Sequence, residues 1–509
     1  MLLQHAFQPF SYLPAGKLFM FTFKDIKDYH EQLSNGSISC AEAVSHYLQK
    51  IEANKVLNAF TDIYDEEAKE KAYLLDIKRK NGEPLKKLHG VVIAIKDVIC
   101  YKGHKVSASS KMLEGFNSLY TATALQRLLD EDAIIIGSCN CDEFAMGSSN
   151  ENSAYGNVLN ALDNTRVPGG SSGGSAVAVQ ACLCMASLGS DTGGSVRQPA
   201  DFCGIIGLKP SYGKISRYGL IAYASSFDQI GIFSKSINDT ALLLSIMSGA
   251  DEFDSTASQI NIKEDFFDHF LQVKDVPADK KFKIAYFKEA IHHPSLDKEI
   301  KEKILLLADE LRLQGHTVTE IDFNLLDYVV PAYYVLTTAE ASSNLSRYDG
   351  IRYGHQTKAT IKDLTEFYKR NRTEGFGKEV QRRIMLGTFV LSSGYYDAYF
   401  SKAQQVRSML AAKTESIFAD YDAVIMPVSP STAFKFGEKS KDAIAMYLAD
   451  IFTVFANLTG IPGIAVPLFS HSNGMPFGLQ VMCKKADELT LLQLAGYFIK
   501  LGKEKNKKI

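Results

Sequence analysis

The sequence has 509 residues, of which 46% are hydrophobic and 22% are charged, and its formal net charge is -2. These proportions are typical of a soluble globular protein with a sizeable core. The 56 basic and 58 acidic residues leave no excess of basic side chains, which a protein that binds nucleic acid by itself would usually have. The eight cysteines form no C-x-x-C pair and no other metal-ligand pattern, so we predict buried thiols in a reducing compartment and no metal site.

The N-terminal part of the chain divides at about residue 23. Residues 1–22 lack the continuous apolar stretch of a signal peptide, because Gln4, His5 and Pro9 interrupt it. We expect this segment to be a disordered or mis-started extension. Residues 23–80 are predicted to be helical, since their apolar side chains recur at helical spacing, with Ser37 and Ser39 as candidate caps.

From residue 88 the pattern becomes that of an α/β fold. Predicted strands and helices alternate along the chain: strands at 88–99, 133–137, 281–287, 316–322, 464–468 and 478–482, and helices at 123–132, 297–313 and over most of 332–406. No linker interrupts them. We therefore predict one compact domain over 23–501, with a catalytic core at 88–250 and a basic tail at 502–509.

Two glycine–serine loops stand out, PGGSSGGS at 168–175 and GSDTGGS at 189–195. Between them we predict a helix at about 175–181 and a returning strand over 183–188. A helix of ~10 residues rises about 15 Å and a strand of ~5 residues covers about 16 Å, so the chain returns to where it started. Both loops should therefore lie at the same edge of the sheet, with their serines facing one pocket. No G-K-[ST] follows the glycines, which argues against a phosphate-binding loop.

The uncharged stretch 167–190 around these loops is not predicted to span a membrane. Only 176–188 is mainly apolar, short of the ~20 residues that a spanning helix needs. We expect a cytoplasmic protein that has no contact with a membrane. The consecutive N–H groups of Thr192, Gly193 and Gly194, followed by that of Ser195, instead predict an oxyanion hole.

A serine nucleophile needs a group that accepts its proton. None of the eleven histidines lies in a sequence typical of a Ser-His-Asp triad. Lys96 is the better candidate, because burial in the apolar strand VVIAIKDVI lowers the pKa of a lysine toward neutrality, and strand alternation points Asp97 to the other face. Alone, such a lysine more often reaches water; the two serine loops favour the catalytic interpretation.

These three elements together resemble the amidase signature family. In that family a strand lysine, a serine in a cis-peptide loop and a nucleophilic serine form a Ser-Ser-Lys triad, the two serines being 24 positions apart, as Ser171 and Ser195 are here. The resemblance implies Lys96 as the base, Ser171 as the bridging serine and Ser195 as the nucleophile, with Ser172 a loop residue. It also implies an α/β fold in which a large mixed β-sheet is sandwiched between helices.

Stretches at 189–231, 339–354 and 377–400 are similar to one branch of the family, the A subunits of glutamyl-tRNA(Gln) amidotransferases. General amidases lack the last two. In that branch free glutamine is bound by a tyrosine, an arginine and an aspartate, and the matching residues are Tyr334, Arg383 and Asp450. A guanidinium suits the α-carboxylate and a carboxylate suits the α-ammonium. Each charge alone is more often a surface residue, and the adjacent Tyr333 and Arg382 are rival matches.

The resemblance implies a glutaminase subunit that supplies ammonia to two partner subunits, B and C, of a heterotrimer. The partners use ATP with Mg and hold most of the Glu-tRNA(Gln), which becomes Gln-tRNA(Gln); no cofactor is expected on this chain. Three alternatives stay open. They are a free-standing amidase for a small or fatty amide, a non-catalytic scaffold, and an amidotransferase that also accepts Asp-tRNA(Asn).

Overall fold

The computed structural model describes residues 21–258, 266–439 and 449–506. Residues 1–20 of the predicted N-terminal extension and 507–509 of the predicted tail lie outside these ranges. The last helix ends at Asn506, so residues 502–506 of that tail are helical.

An eleven-stranded mixed sheet connects strands from residue 60 to residue 483. Its strands are β1 Phe60–Ile63, β2 Val92–Lys96, β3 Ile134–Cys139, β4 Ala186–Asp191, β5 Ile206–Lys209, β6 Gln229–Ser234, β7 Lys283–Phe287, β8 Thr317–Ile321, β9 Ala423–Pro427, β10 Gly463–Ser470 and β11 Pro476–Cys483. Their spatial order is β1-β3-β2-β4-β6-β5-β10-β11-β9-β7-β8. The sheet is parallel across β3-β2-β4 and β9-β7-β8, and it is antiparallel through its middle and at the β1 edge. The predicted α/β fold with a large mixed sheet is confirmed.

The α-helices of the described chain surround this sheet. They are α1 Ile26–Ser34, α2 Cys40–Ala53, α3 Asp65–Lys80, α4 Thr123–Asp130, α5 Gly173–Gln180, α6 Arg197–Cys203, α7 Ile237–Met247, α8 Phe266–Val273, α9 Lys288–Ile291, α10 Lys298–Leu313, α11 Leu326–Asn344, α12 Leu364–Gly375, α13 Lys378–Val390, α14 Lys402–Asp420, α15 Val454–Thr459 and α16 Glu488–Asn506. None of them is long and apolar enough to cross a membrane.

The N-terminal segment 23–80 is helical except for one strand that the periodicity did not predict. Ser39, one of the two candidate caps, begins α2 with a capping box, in which its hydroxyl accepts from the N–H of Glu42 and the Glu42 carboxylate accepts in return. Strand β1 then interrupts the helices and pairs antiparallel with β3. A strand of four residues carries too little local pattern to be predicted, because its stability comes from its partner strand.

The β2–α5–β4 region positions the two serine loops. Helix α5 and strand β4 lie close to the predicted helix at 175–181 and strand at 183–188. Strands β2 and β4 are parallel neighbours in which Ile95 pairs with Leu188, so their carboxyl ends lie at one edge of the sheet. Lys96 and the loop after β4 are thereby brought together, as the sequence geometry predicts.

Candidate active site

Lys96 ends β2 with a fully buried side chain. Its Nζ lies 2.7 Å from Ser171 Oγ and 2.9 Å from Ser190 Oγ. Burial lowers the pKa of Lys96 to about 8, although the nearby Cys141 and the surrounding aspartates act against this shift. Asp97 faces the other way and accepts from the N–H of Ser107, so it is not the partner of the lysine.

The Ser171 loop contains a cis peptide bond between Gly170 and Ser171. The Gly170 N–H donates to Gln198 Oε1 (3.0 Å), and the Ser171 carbonyl accepts from the N–H of Asp142 (3.0 Å). The Ser172 hydroxyl donates to the Ser190 carbonyl (3.1 Å). The structure therefore places Ser171, and not Ser172, beside Lys96.

The loop that carries Ser195 is organised by a buried ion pair. Asp191 accepts from Arg197 Nη2 (2.9 Å) and from the N–H groups of Gly194 (2.9 Å) and Val196 (3.1 Å). Burial by itself would raise the pKa of Asp191, but the charge and hydrogen bond of Arg197, together with Lys209 and Asn457, outweigh it and lower the pKa to about 2. The carboxylate therefore stays ionised and fixes the backbone on both sides of Ser195.

Ser195 itself is 8% exposed, and its hydroxyl has no hydrogen-bond partner among the described residues. Ser195 is thus largely buried, and its hydroxyl is not held by another described side chain. The geometry joins Lys96 to Ser171, while a hydrogen bond from Ser171 to Ser195 is absent from the described contacts. That step of the relay stays a prediction.

The predicted oxyanion hole has fewer available N–H groups than the sequence indicates. The N–H of Gly194 donates to Asp191 and is not available to a substrate. In the described part of the chain the N–H groups of Thr192 and Gly193 have no acceptor, and side chains hold this segment in place. Thr453 Oγ1 donates to the Gly193 carbonyl (2.6 Å), and Thr192 Oγ1 donates to Asp228 (2.7 Å).

Arg383 and Asp450 are both buried and both contact Tyr334. The Arg383 guanidinium lies 5.5 Å from the centre of the Tyr334 ring, and Asp450 Oδ2 accepts from the Tyr334 hydroxyl (3.3 Å). Arg383 also donates to Glu379 (2.9 Å) and to the Tyr223 hydroxyl (2.8 Å). The structure thus brings the three predicted glutamine-binding residues together.

Burial raises the pKa of Asp450 to about 6, although the Ser148 hydroxyl, which donates to this carboxylate at 2.7 Å, and the charge of Arg383 act in the other direction. Asp450 is therefore ionised at neutral pH and protonated in mild acid. At neutral pH, Asp450 and Arg383 therefore place one negative and one positive charge in the same buried region.

The adjacent Tyr333 has a different place from Tyr334. It is buried, and its hydroxyl lies so close to Gly193 that a Cβ built on this glycine would collide with it. Tyr333 therefore packs on the Ser195 loop, whereas Tyr334 contacts the two charges. The sequence could not separate these neighbours, because both lie on α11 and the difference is one of helix face.

Some residues that touch the site were not identified from the sequence. They are Ser148, Ser190, Tyr223 and Glu379. Of these four, only Glu379 could have been identified from the sequence, because its i,i+4 spacing from Arg383 on α13 favours an ion pair.

The described residues contain no group of three or more side chains suited to a metal ion. The eight cysteines are free, and all but Cys182 are buried, in agreement with the prediction of buried thiols.

Comparison with known proteins gives a consistent result. The family model described as Amidase matches residues 42–492. The chain is 48% identical over 469 residues to the A subunit of glutamyl-tRNA(Gln) amidotransferase from Chlorobium limicola, covering 92% of this chain and 98% of that protein. It is 48% identical over 450 residues to the protein of the same name from Koribacter versatilis, covering 88% and 92%.

Solved structures agree with these relatives. The crystal structure of the A subunit of glutamyl-tRNA(Gln) amidotransferase from Thermotoga maritima matches with a TM-score of 0.72 and 37% identity, covering 90% of each chain. The native peptide amidase of Stenotrophomonas maltophilia shares the fold at 24% identity, with a TM-score of 0.76 and coverage of 94% and 97%.

Proposed function

The chain belongs to the amidase signature family, and from this membership and the geometry of its site we propose that it is the glutaminase subunit of a tRNA-dependent amidotransferase. It hydrolyses glutamine and supplies ammonia for the conversion of Glu-tRNA(Gln) to Gln-tRNA(Gln). Relatives that share nearly half of its residues and are matched over almost their whole length carry the name of such a subunit.

The observation that carries this proposal is the meeting of Arg383 and Asp450 at Tyr334. A free amino acid presents one carboxylate and one ammonium, and two fixed charges of opposite sign match that pair. A fatty amide presents neither charge. Burying both side chains would be costly unless a ligand or polar neighbours offset the loss of solvation. The site is therefore suited to glutamine.

Acylation begins with neutral Lys96, which accepts the proton of Ser171 as Ser171 accepts that of Ser195. The Ser195 Oγ attacks the side-chain amide carbon of glutamine. Negative charge develops on the amide oxygen, which the N–H groups of Thr192 and Gly193 stabilise. The C–N bond then breaks, the proton returns through Ser171 to the leaving nitrogen, and ammonia departs from a γ-glutamyl ester.

Deacylation uses the same groups with water as the nucleophile. The Lys96–Ser171 pair accepts a proton from water, whose oxygen attacks the ester carbon. The ester bond breaks and the proton passes to Ser195 Oγ, which regenerates the serine and frees glutamate. Lys96 returns to its neutral state, so the cycle needs no cofactor on this chain.

Activation of the tRNA-bound glutamate is assigned to the partners. We propose two of them, B and C, in a cytoplasmic heterotrimer that uses ATP with Mg and holds most of Glu-tRNA(Gln). This division of labour is supported by the lack of a G-K-[ST] phosphate loop and of a basic excess in this sequence.

The alternative is a free-standing amidase for a small or fatty amide, which is compatible with the fold that this chain shares with a peptide amidase. Arg383→Ala separates the two. A glutaminase loses glutamine binding, with KM raised about 10–100-fold, since a charge-assisted hydrogen bond contributes about 1.5–3 kcal/mol. A simple amidase keeps its activity on an uncharged amide.

Arg382→Ala is the matched control, because Arg382 immediately precedes Arg383 in the sequence and its partly exposed side chain pairs with Glu379. Steady-state kinetics on glutamine and on an uncharged amide measure both variants. If Arg383→Ala and Arg382→Ala leave KM for glutamine equally unchanged, the proposed function is wrong.

A further inference from the structure

An apolar surface lies on the outer side of the helix that carries Arg383. It consists of Met385, Leu386, Phe389, Tyr395, Tyr396 and Tyr399, which are between 42% and 68% exposed. We call it the aromatic patch. At roughly 200 Å² for each fully exposed side chain, the aromatic patch exposes on the order of 600 Å². This is the upper end of the range for the largest apolar patch of a monomer, about 300–600 Å².

Three rings of the aromatic patch, those of Phe389, Tyr395 and Tyr399, are in mutual contact. The ring of Phe389 lies 4.3 Å from that of Tyr395 and 5.8 Å from that of Tyr399, measured between ring centres. Met385 precedes Phe389 by one turn of α13, so the helix and the segment that follows it form one surface. Scattered exposed apolar residues need no explanation, but a connected group of this size does.

Charge is almost absent from this part of the chain. Between Arg383 and Lys402 the only charged residue is Asp397. Tyrosine, phenylalanine and methionine together with a depletion of charge are the composition of the core of a protein–protein interface. A surface that met only water would have no reason to lack charged side chains over such a length.

Helix α13 connects the aromatic patch to the substrate site. Val380, Arg383, Gly387 and Val390 are its buried residues, and they recur at the helical period. Met385, Leu386 and Phe389 lie on the opposite, exposed side. A protein that docked on the aromatic patch would therefore rest on the back of the helix that holds the guanidinium for glutamine.

From these observations we propose that the aromatic patch is the docking surface for the partner protein that receives the ammonia, which presents an apolar face of its own. This inference rests on the proposed function. A typical interface needs about 800 Å² from each side, and the aromatic patch supplies most of it. A partner held on α13 would contact the helix that carries Arg383, whereas a second copy of this chain receives no ammonia and gains nothing from that position.

The test is binding of the cognate partner subunit that receives the ammonia, measured by analytical ultracentrifugation with the full-length chain. The double variant Met385→Glu/Tyr396→Glu places two charges within the aromatic patch. We expect the dissociation constant to rise at least about 30-fold, the effect of losing an interface hot spot. Leu313→Glu, at an 89% exposed leucine outside the aromatic patch, is the matched control and should bind as the wild type does.

The outcomes separate the inference from the function on which it rests. Unchanged partner binding by the double variant, with wild-type binding intact, overturns the inference alone. A wild-type chain that binds no partner overturns both. A wild-type dimer that only the double variant disrupts assigns the aromatic patch to self-association and contradicts the proposal. If the double variant does not fold, hydrogen exchange of the wild type decides, because the partner should protect residues 385–399.

Discussion

At the scale of single residues, Lys96 shows how burial makes a lysine into a base. Its fully buried amine has the two hydroxyl groups of Ser171 and Ser190 within hydrogen-bond distance, and burial brings its pKa down to about 8. In water this amine would be protonated throughout the physiological range. The pocket thus gives a usable fraction of the neutral form near neutral pH, which the chemistry needs.

The first prediction is the pH dependence of kcat for glutamine hydrolysis. The neutral amine is the active form, and its fraction grows as the pH rises through about 8. The kcat should therefore rise through this region and level off above it. Initial rates across this range measure the profile, and Lys96→Met should abolish the rise and lower kcat about 10²–10⁴-fold. A wild-type kcat that is flat across pH 8 contradicts the role of Lys96.

Asp450 leads to a second prediction, on the KM for glutamine. Burial raises the pKa of this carboxyl group to about 6, so protonation in mild acid removes the charge that would hold the α-ammonium. The KM should rise as the pH falls through about 6, while kcat changes less. Asp450→Asn should raise KM about 10–100-fold at neutral pH and remove this dependence. An unaltered KM in the variant would assign Asp450 a structural role only.

Sequence and structure agree at this scale where the signal is local. The burial of Lys96 and the opposite direction of Asp97 follow from strand alternation, whereas the choice of Ser171 and Ser195 depends on the family resemblance. Tyr223 was not predictable, because it meets Arg383 across 160 positions of sequence. The hydrogen bond from the Gly194 N–H to Asp191 was not predictable either, because it depends on loop geometry, which a glycine-rich sequence does not specify.

At the scale of elements, the Asp191–Arg197 pair holds the turn between β4 and α6. Arg197 is fully buried and also donates to the Thr453 carbonyl (2.7 Å) and to Asn457 (2.6 Å). Each donor of the guanidinium thereby finds an acceptor, which a buried charge requires. The turn that presents Ser195 is anchored to α15 through these contacts.

A third prediction concerns the free energy of unfolding. Asp191→Asn leaves Arg197 buried without its counter-charge and should cost about 3–5 kcal/mol. Urea denaturation of variant and wild type measures the difference. Glu302→Gln, which breaks the exposed i,i+4 pair with Lys298 on α10, should cause no measurable change. Equal losses in the two variants would contradict the anchoring role of the buried pair.

The same pair has a pH signature in the wild type. The pKa of Asp191 is lower in the folded chain, about 2, than in the unfolded one. Its contribution to stability is therefore present above the unfolded pKa and is lost as the pH falls toward the folded pKa.

Elements with a strong period were predictable, and short ones were not. The unit formed by β7, α10 and β8 lies within two or three residues of its predicted bounds. Strands β5 and β9 were not predicted, because each is short and is defined by its pairing with a distant strand. Their order in the sheet depends on the same long-range pairing.

At the scale of the whole molecule, the sheet positions Lys96 and the Ser195 loop, whereas helices α11 and α13 carry Tyr334 and Arg383, the first of which contacts Asp450. The aromatic patch lies on the other side of α13, so partner docking and glutamine binding share an element. The fold class could be predicted from strand–helix alternation and the family resemblance, whereas this outer surface could not, since only the structure distinguishes the two faces of α13.

The most direct measurement of the central claim is the intact mass of the protein mixed with glutamine and quenched in acid. The wild type should show a γ-glutamyl adduct, because an ester on Ser195 forms before water releases it. Ser195→Ala should show none, and Arg382→Ala should still show it. An adduct that persists in Ser195→Ala would contradict the assignment of Ser195 as the nucleophile.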